Sequence, residues 1–292
     1  MKLKNPKIRH FVRFLHVPLN FLRHPINSSL IFKSIFLKRP VVIDDTRHYL
    51  RLNHCTYSNR LDFRQRSSIF IEHSRLIVSN LGKSFLDSSS HGSITLWREE
   101  FGSHQMAIQL TTPKGLHRYE GEMIVALECD GLRLMVMSFQ VCNGESLGTT
   151  GQVAFVSRIQ GAPGYFDHIR QACKLMSDMN LSYALLSALE GFCTSLKIGQ
   201  IVGIDCAAQT GFLGNADSPN FFNTYDKFWQ KNHARLLPAG YYLLTLPLLP
   251  PDLPVPTGSH RARTLKHREI RRRITAVARQ SLDDFRASRV HG

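Results

Sequence analysis

Between Glu120 and Cys142 the chain reads EGEMIVALECDGLRLMVMSFQVC, two apolar runs joined through Asp130-Gly131. An Asp-Gly pair tolerates the positive φ that a two-residue hairpin turn requires, which makes it the strongest short-range hairpin signal a sequence carries. With its flanking runs it sets two antiparallel strands, and through them the middle of a sheet. Upstream lie SITLWREE (93–100) and HQMAIQLTTP (104–113), where Met106, Ile108 and Leu110 alternate with polar or small residues. Downstream, GQVAFVSRIQ (151–160) supplies a further strand. The order predicts an antiparallel meander.

At Gly161-Ala162-Pro163-Gly164 the period changes. Residues 164–179 place Phe166, Ile169, Cys173 and Met176 on one helical face. Residues 182–197 are apolar on most sides, which predicts a buried helix stopped by Gly199. QIVGIDCA (200–207) reads as a buried strand, TYDKFWQKNHA (224–234) as a short helix and YYLLTLPLL (241–249) as a last strand. Ahead of the meander, residues 61–82 are predicted helical up to Gly82, and FLDSSSHGS (85–93) is predicted to be a polar loop. The whole is an α+β order, with a mostly antiparallel mixed sheet flanked by helices and splitting around one of them.

A chain of 292 residues with 43% hydrophobic content can bury one large core. Its net charge of +15 sits at the two ends. Residues 1–51 carry 11 Lys/Arg against Asp44 and Asp45, and residues 260–292 carry 10 against Glu269, Asp283 and Asp284. The expected organisation is a basic amphipathic N-terminal extension (1–40), an α+β core (41–250), and a Pro-rich linker with a basic C-terminal helix (251–292). That helix spaces Ile270, Ile274, Val277, Leu282 and Phe285 as an apolar stripe. Such ends can pack on their own domain, lie on an anionic inner-membrane surface, or bind nucleic acid. Phe11, Phe14, Leu15 and Phe21, interleaved with charge, favour lipid over nucleic acid. No apolar run approaches the ~20 residues needed to span a bilayer. Arg13, His16, Pro18 and Arg23 interrupt any signal-peptide core, so the expected location is cytoplasmic, at most peripheral to the inner membrane. The six cysteines form no CxxC and are expected to be buried free thiols.

The glycine turn before a helix admits two readings. The unpaired N–H groups of a first helical turn form a ready anion site, and Arg158 could add a charge-assisted bond. Equally, Gly-x-Pro-Gly is ordinary turn chemistry. Neither a Walker loop nor GxGxxG is present. The densest polar cluster entering a strand is His117-Arg118-Tyr119-Glu120-Gly121-Glu122, in which Glu122 or His117 is a candidate general base and a solvated strand entry the plain alternative. HExxH and GxSxG are absent, and His91, His104 and His233 lack metal-ligand spacing, so no metal site is expected.

The segments LHRYEGEMIVAL, RIQGAPG and TYDKFW, followed by a basic C-terminal helix behind a Pro-rich link, resemble the VirK/YbjX family of bacterial proteins over roughly residues 40–280. That resemblance implies a role in envelope integrity, tolerance of antimicrobial peptides or virulence, with the inner-membrane surface or an envelope protein as partner. The strand, glycine turn, helix, strand and short aromatic helix also resemble the acetyl-CoA-dependent N-acetyltransferase (GNAT) fold, whose turn follows Arg/Gln-x-x-Gly-x-Gly/Ala and holds the cofactor pyrophosphate. Arg158, Gly161 and Pro163 occupy those places here, and the last small residue is displaced to Gly164. This likeness implies acetyl-CoA or another acyl-CoA held by Arg158, Gln160, Gly161, Ala162 and Gly164, and acyl transfer as the chemistry. Where that fold often has a tyrosine acid after Phe, this chain has Phe228-Trp229. An indole donates a hydrogen bond without delivering a proton at useful pH, which leaves Tyr225 as the nearest candidate acid. The alternative is a non-catalytic adaptor that docks through the basic ends.

Overall fold

A computed structural model of the chain describes residues 56–113, 120–212, 218–250 and 260–287, with Leu52, Pro254 and residues 257–258 besides. The N-terminal extension expected at 1–40 lies outside the described residues.

Helix α1 (Phe63–His91) starts where Asp62 and Gln65 satisfy each other's backbone, through bonds of 2.8 and 2.9 Å. Gly82 breaks it internally at φ 78°, after which it resumes and runs to His91. The polar loop predicted for 85–93 is therefore mostly helical. Its anchor is Phe85, fully buried and edge-on to Phe285 at 5.8 Å, and this tertiary packing outweighs the poor helix propensity of the Asp-Ser run.

Eight strands follow in one sheet: β1 (Ile94–Phe101), β2 (His104–Thr111), β3 (Met123–Cys129), β4 (Leu132–Asn143), β5 (Gln152–Gly161), β6 (Gln200–Gly203), β7 (Arg235–Leu236) and β8 (Tyr242–Thr245). Their spatial order is β1-β2-β3-β4-β5-β6-β8-β7, and every pairing is antiparallel except β5 with β6. The predicted hairpin is present, with Asp130 at φ 51° and Gly131 at φ 78°. A parallel pair needs a crossover, which α2 (Phe166–Leu175) and α3 (Leu181–Ser195) supply. Helices α4 (Ser218–Thr224) and α5 (Asp226–Lys231) link β6 to β7.

Helix α3 is buried along most of its length, as its all-round apolarity predicts. Helix α2 departs from its expected face. Ile169, Ala172, Cys173 and Met176 form the inward stripe, while Phe166 in the first turn is 73% exposed. Helix α6 (Arg261–Ala287) buries Ile270, Ile274, Ala278 and Leu282 completely, with Ala278 in place of the expected Val277, which is exposed. It crosses α3 closely because Gly191 has no side chain: a Cβ there would lie 2.5 Å from Thr275 O and 2.8 Å from Ala278 Cβ. Arg273 clamps Glu99 of β1 through two bonds of 2.8 and 2.5 Å. The basic C-terminal helix expected as an extension is thus built into the same core as the sheet.

No helix among the described residues is long and apolar enough to cross a membrane. The five described cysteines are free; Cys142 and Cys193 are buried, while Cys129, Cys173 and Cys206 are only partly so.

Candidate functional site

Strand β5 has two unlike edges. Towards β4, nine registered pairs run from Met135↔Gly161 to Asn143↔Gln152, with one irregularity that skips Ser157. Towards β6 there are three pairs, Ala154↔Ile201 to Val156↔Gly203, and the bond from Ile204 N to Val156 O at 3.0 Å ends the ladder. Trp229 holds the departing chain. Its ring lies against Gly203, where a Cβ would come within 2.1 Å of it, and its Nε1–H donates to Ile204 O at 2.8 Å. Trp229, at the place where the acetyltransferase likeness expects an acid, is therefore a buried wedge.

Tyr225 occupies the gap this leaves beside β5. Its hydroxyl accepts the Ile159 N–H at 3.4 Å, the first such bond beyond the parallel ladder. Burial pushes its pKa up to about 12, while the Ile159 N–H, the Arg158 charge and the Gln209 side chain act the other way. The phenol is protonated throughout the neutral range.

A cleft of about 450 Å³ opens at this end of β5. Ile159, Gln160 and Gly161 form one wall, Asn180 and Tyr183 at the start of α3 another, and Lys227, Phe228 and Lys231 of α5 a third. Gln160 Oε1 is buried and has no hydrogen-bond donor. Gly161 lets α2 approach, since a Cβ there would meet Ile169 Cδ1 at 3.2 Å. Helix α2 begins at Tyr165 without a side-chain cap, whereas Asn180 caps α3 by accepting the Ser182 N–H at 3.0 Å. Gly164 is exposed at φ 81°. Of the N–H groups expected around the turn, that of Ala162 is committed to Leu134 O at 2.8 Å and Pro163 has none.

Arg158 forms an ion pair with Glu120, and both side chains are 15% exposed. Burial draws the Arg158 guanidinium below its usual range, with Tyr225 acting against this. Held in this pair, Arg158 is not presented to the cleft as the expected phosphate ligand. Gly121 makes the pair possible: a Cβ there would lie 2.9 Å from Phe139 N, so only a bare backbone can lie this close to β4. Ser157 Oγ, on the residue that the β4 register skips, donates to Glu120 O. Glu122 accepts a bond from the hydroxyl of Tyr57, a fully buried residue at φ 66°. Among the predicted residues, Glu122 thus lies in the same strand entry as the Arg158 pair, and Tyr225 lies within the field of Arg158. Gln160 and Gly161 line the cleft, and His117 is outside the described residues.

Four participants escaped sequence reasoning. Tyr57 lies 65 residues from its partner. Glu120 gave a signal only as part of a polar cluster. Lys227 and Lys231 stand four apart on a helix, a spacing that puts both on one face. The structure also gathers His104, Cys129 and Asp130, whose ligand atoms lie within 4.8 Å of one another. Asp130 there bonds His104 Nδ1 at 2.7 Å and the Gln105 N–H at 2.8 Å, which ties β2 to the β3–β4 turn.

Residues 21–254 match the family described as a protein of unknown function, DUF535. The chain belongs to this family, which is the VirK/YbjX family. No curated protein and no solved structure matches it significantly.

Proposed function

We propose that this protein binds an acyl-CoA in the cleft beside β5 and transfers the acyl group, on an acetyltransferase-like core and in the upkeep of a bacterial envelope. The observation that carries the reading is the short parallel ladder. It stops after three pairs, and the cleft opens at the carboxyl end of β5, the side on which sheets with parallel strands take their ligands. The chemistry of the walls suits such a ligand. Lys227 and Lys231 suit its phosphates.

In the transfer step the acceptor's nucleophile attacks the thioester carbonyl and the C–S bond breaks. Tyr225, whose hydroxyl sits on the Ile159 N–H behind the cleft wall, would be the donor to the departing thiolate, and Glu122, bonded to Tyr57, the acceptor of the nucleophile's proton. Each group regains its starting state by exchange with solvent. Trp229 takes no part.

Calorimetric titration with acetyl-CoA and with a long-chain acyl-CoA tests the reading. Wild type is expected to bind one of them, and Lys227→Glu, which reverses a charge on the cleft wall, to lose most of that binding while keeping its circular dichroism spectrum. Absence of both heat and thermal shift with either ligand overturns it.

The exposed face of α6 favours a second reading, in which a non-catalytic adaptor docks to an anionic membrane through Arg261, Arg263, Arg272 and Arg279. Liposome flotation separates the two, since binding that ignores anionic lipid content removes the adaptor reading.

A further inference from the structure

A second cleft, of about 290 Å³, lies where α5, the start of α3 and the N-terminal half of α6 meet. It shares Tyr183 and Lys231 with the first. Its walls carry Lys231, His233, His267, Arg268 and Arg271, and none of its lining residues is Asp or Glu. Elsewhere on α6, Arg273 is held by Glu99 and Glu269, and Arg279 by Asp283. Among the described residues no carboxylate forms an ion pair with Lys231, Arg268 or Arg271.

The two arginines are positioned without being neutralised. Arg268 Nη1 donates to Pro254 O at 2.6 Å, and Arg271 Nε donates to Ser187 Oγ at 3.2 Å while its guanidinium lies 5.4 Å from the Tyr183 ring centroid. Glu190 is the acid whose field reaches Arg271, but its oxygens are engaged by the Leu248 N–H at 2.7 Å and the Thr275 hydroxyl at 3.2 Å. A rigid guanidinium fork with a second arginine and a lysine beside it matches a multiply charged tetrahedral anion better than a single carboxylate.

We infer that this cleft is a phosphate-binding site, in which Arg268, Arg271 and Lys231 hold a phosphomonoester or diphosphate group. The site stands on its own lining and does not depend on acyl transfer in the first cleft. Because the two clefts share a wall, the phosphate belongs either to a nucleotide whose remainder lies in the first cleft or to a lipid headgroup.

Inorganic pyrophosphate is the probe for the site, measured by calorimetry on the full chain at two salt concentrations. Saturable binding that weakens with salt is expected in wild type. Arg268→Gln and Lys231→Gln are each expected to weaken it roughly tenfold, about the loss of one charge-assisted bond. Arg64→Gln and Arg75→Gln, exposed on α1 and outside the cleft, leave it unchanged. The partly exposed Arg268 and exposed Lys231 carry the test, so it does not rely on Arg271 variants that disturb the buried Glu190. Two further arms identify the source. A nucleotide source makes the Arg268→Gln loss large for CoA and small for 3′-dephospho-CoA, and a headgroup source makes it appear with phosphatidic acid vesicles but not phosphatidylcholine. No saturable pyrophosphate binding, or equal affinity in cleft and control variants, overturns the proposal.

Discussion

The two edges of β5 differ more than any other neighbouring parts of the sheet. Against β4 the strand is paired over nine positions, from Gln152 to Gly161. Against β6 it is paired over three, and beyond Val156 its polar groups meet a tyrosine hydroxyl, a cleft and an unpartnered glutamine. Both edges belong to one apolar strand, so composition does not separate them. Their partners do. The β4 ladder follows from a local hairpin and continues along its length, while the β6 ladder depends on a crossover and is pulled away by Trp229. A closed ladder satisfies backbone groups and has nothing left to offer a ligand. An interrupted one leaves donors and acceptors that something else must meet.

The largest predicted effect strikes the point where the second ladder ends. Gly203→Val drives a side chain into the buried Trp229 ring and is expected to cost about 4 kcal/mol, above the usual range for overpacking, or to prevent folding. Chemical denaturation with gel filtration checks it; a loss under about 1 kcal/mol would mean that the wedge is loose. Next is Glu120→Ala, which leaves Arg158 buried without its partner and is expected to cost about 3 kcal/mol. Arg158→Met with Glu120→Leu should recover much of that loss, so a double variant as unstable as the single one contradicts the pairing.

Tyr225→Phe is gentler to the fold and harsher to function. It keeps the ring and removes the acceptor for Ile159 N–H, for a stability loss of about 1 kcal/mol. Turnover of an acyl-CoA is expected to fall roughly a hundredfold or more, the usual contribution of a positioned proton donor. Retained turnover would assign Tyr225 to structure alone.

The last effect is in alkali. Tyr225 has a folded pKa of about 12 against about 10 for a free tyrosine, so the unfolded chain loses its proton first. Its contribution to stability is complete below the unfolded value and drains away as pH rises from about 10 to about 12. Tyr242, raised to about 12 mainly by burial, adds in the same direction. Stability measured over this window should therefore decline less steeply in Tyr225→Phe. An identical slope would place that hydroxyl in solvent.

What the sequence disclosed divides along the same line. Asp130-Gly131 and the alternation in β2 are local signals, so the meander was readable residue by residue. The glycine turn and the two helices behind it were readable as a switch of period. The parallel pairing of Ala154 with Ile201 was not, because nothing local distinguishes a parallel from an antiparallel buried strand. Glu120 and Arg158, or Tyr57 and Glu122, meet only through the fold, and neither pair has a spacing that announces it. Helix α6 shows the opposite difficulty. Its apolar stripe was plain, but whether that stripe faced lipid or protein depended on Gly191 of α3, a glycine that reads in sequence only as a weak point in a helix. Phe85 and Phe166 failed for a shared reason: the side chain's fate was decided by whether a partner surface reached it, inward for the first and not for the second.

Amide hydrogen exchange on wild-type protein, with and without saturating acetyl-CoA or long-chain acyl-CoA, tests the contrast between the two edges and the ligand assignment together. The free protein should show slow exchange through the β4–β5 ladder and faster exchange at the first turn of α2. The bound acyl-CoA should slow exchange at residues 159–168 and across α5, and leave β1 and β2 as they were. No change at those residues with either ligand, or protection spread evenly over the sheet, would contradict the placement of the cofactor beside β5.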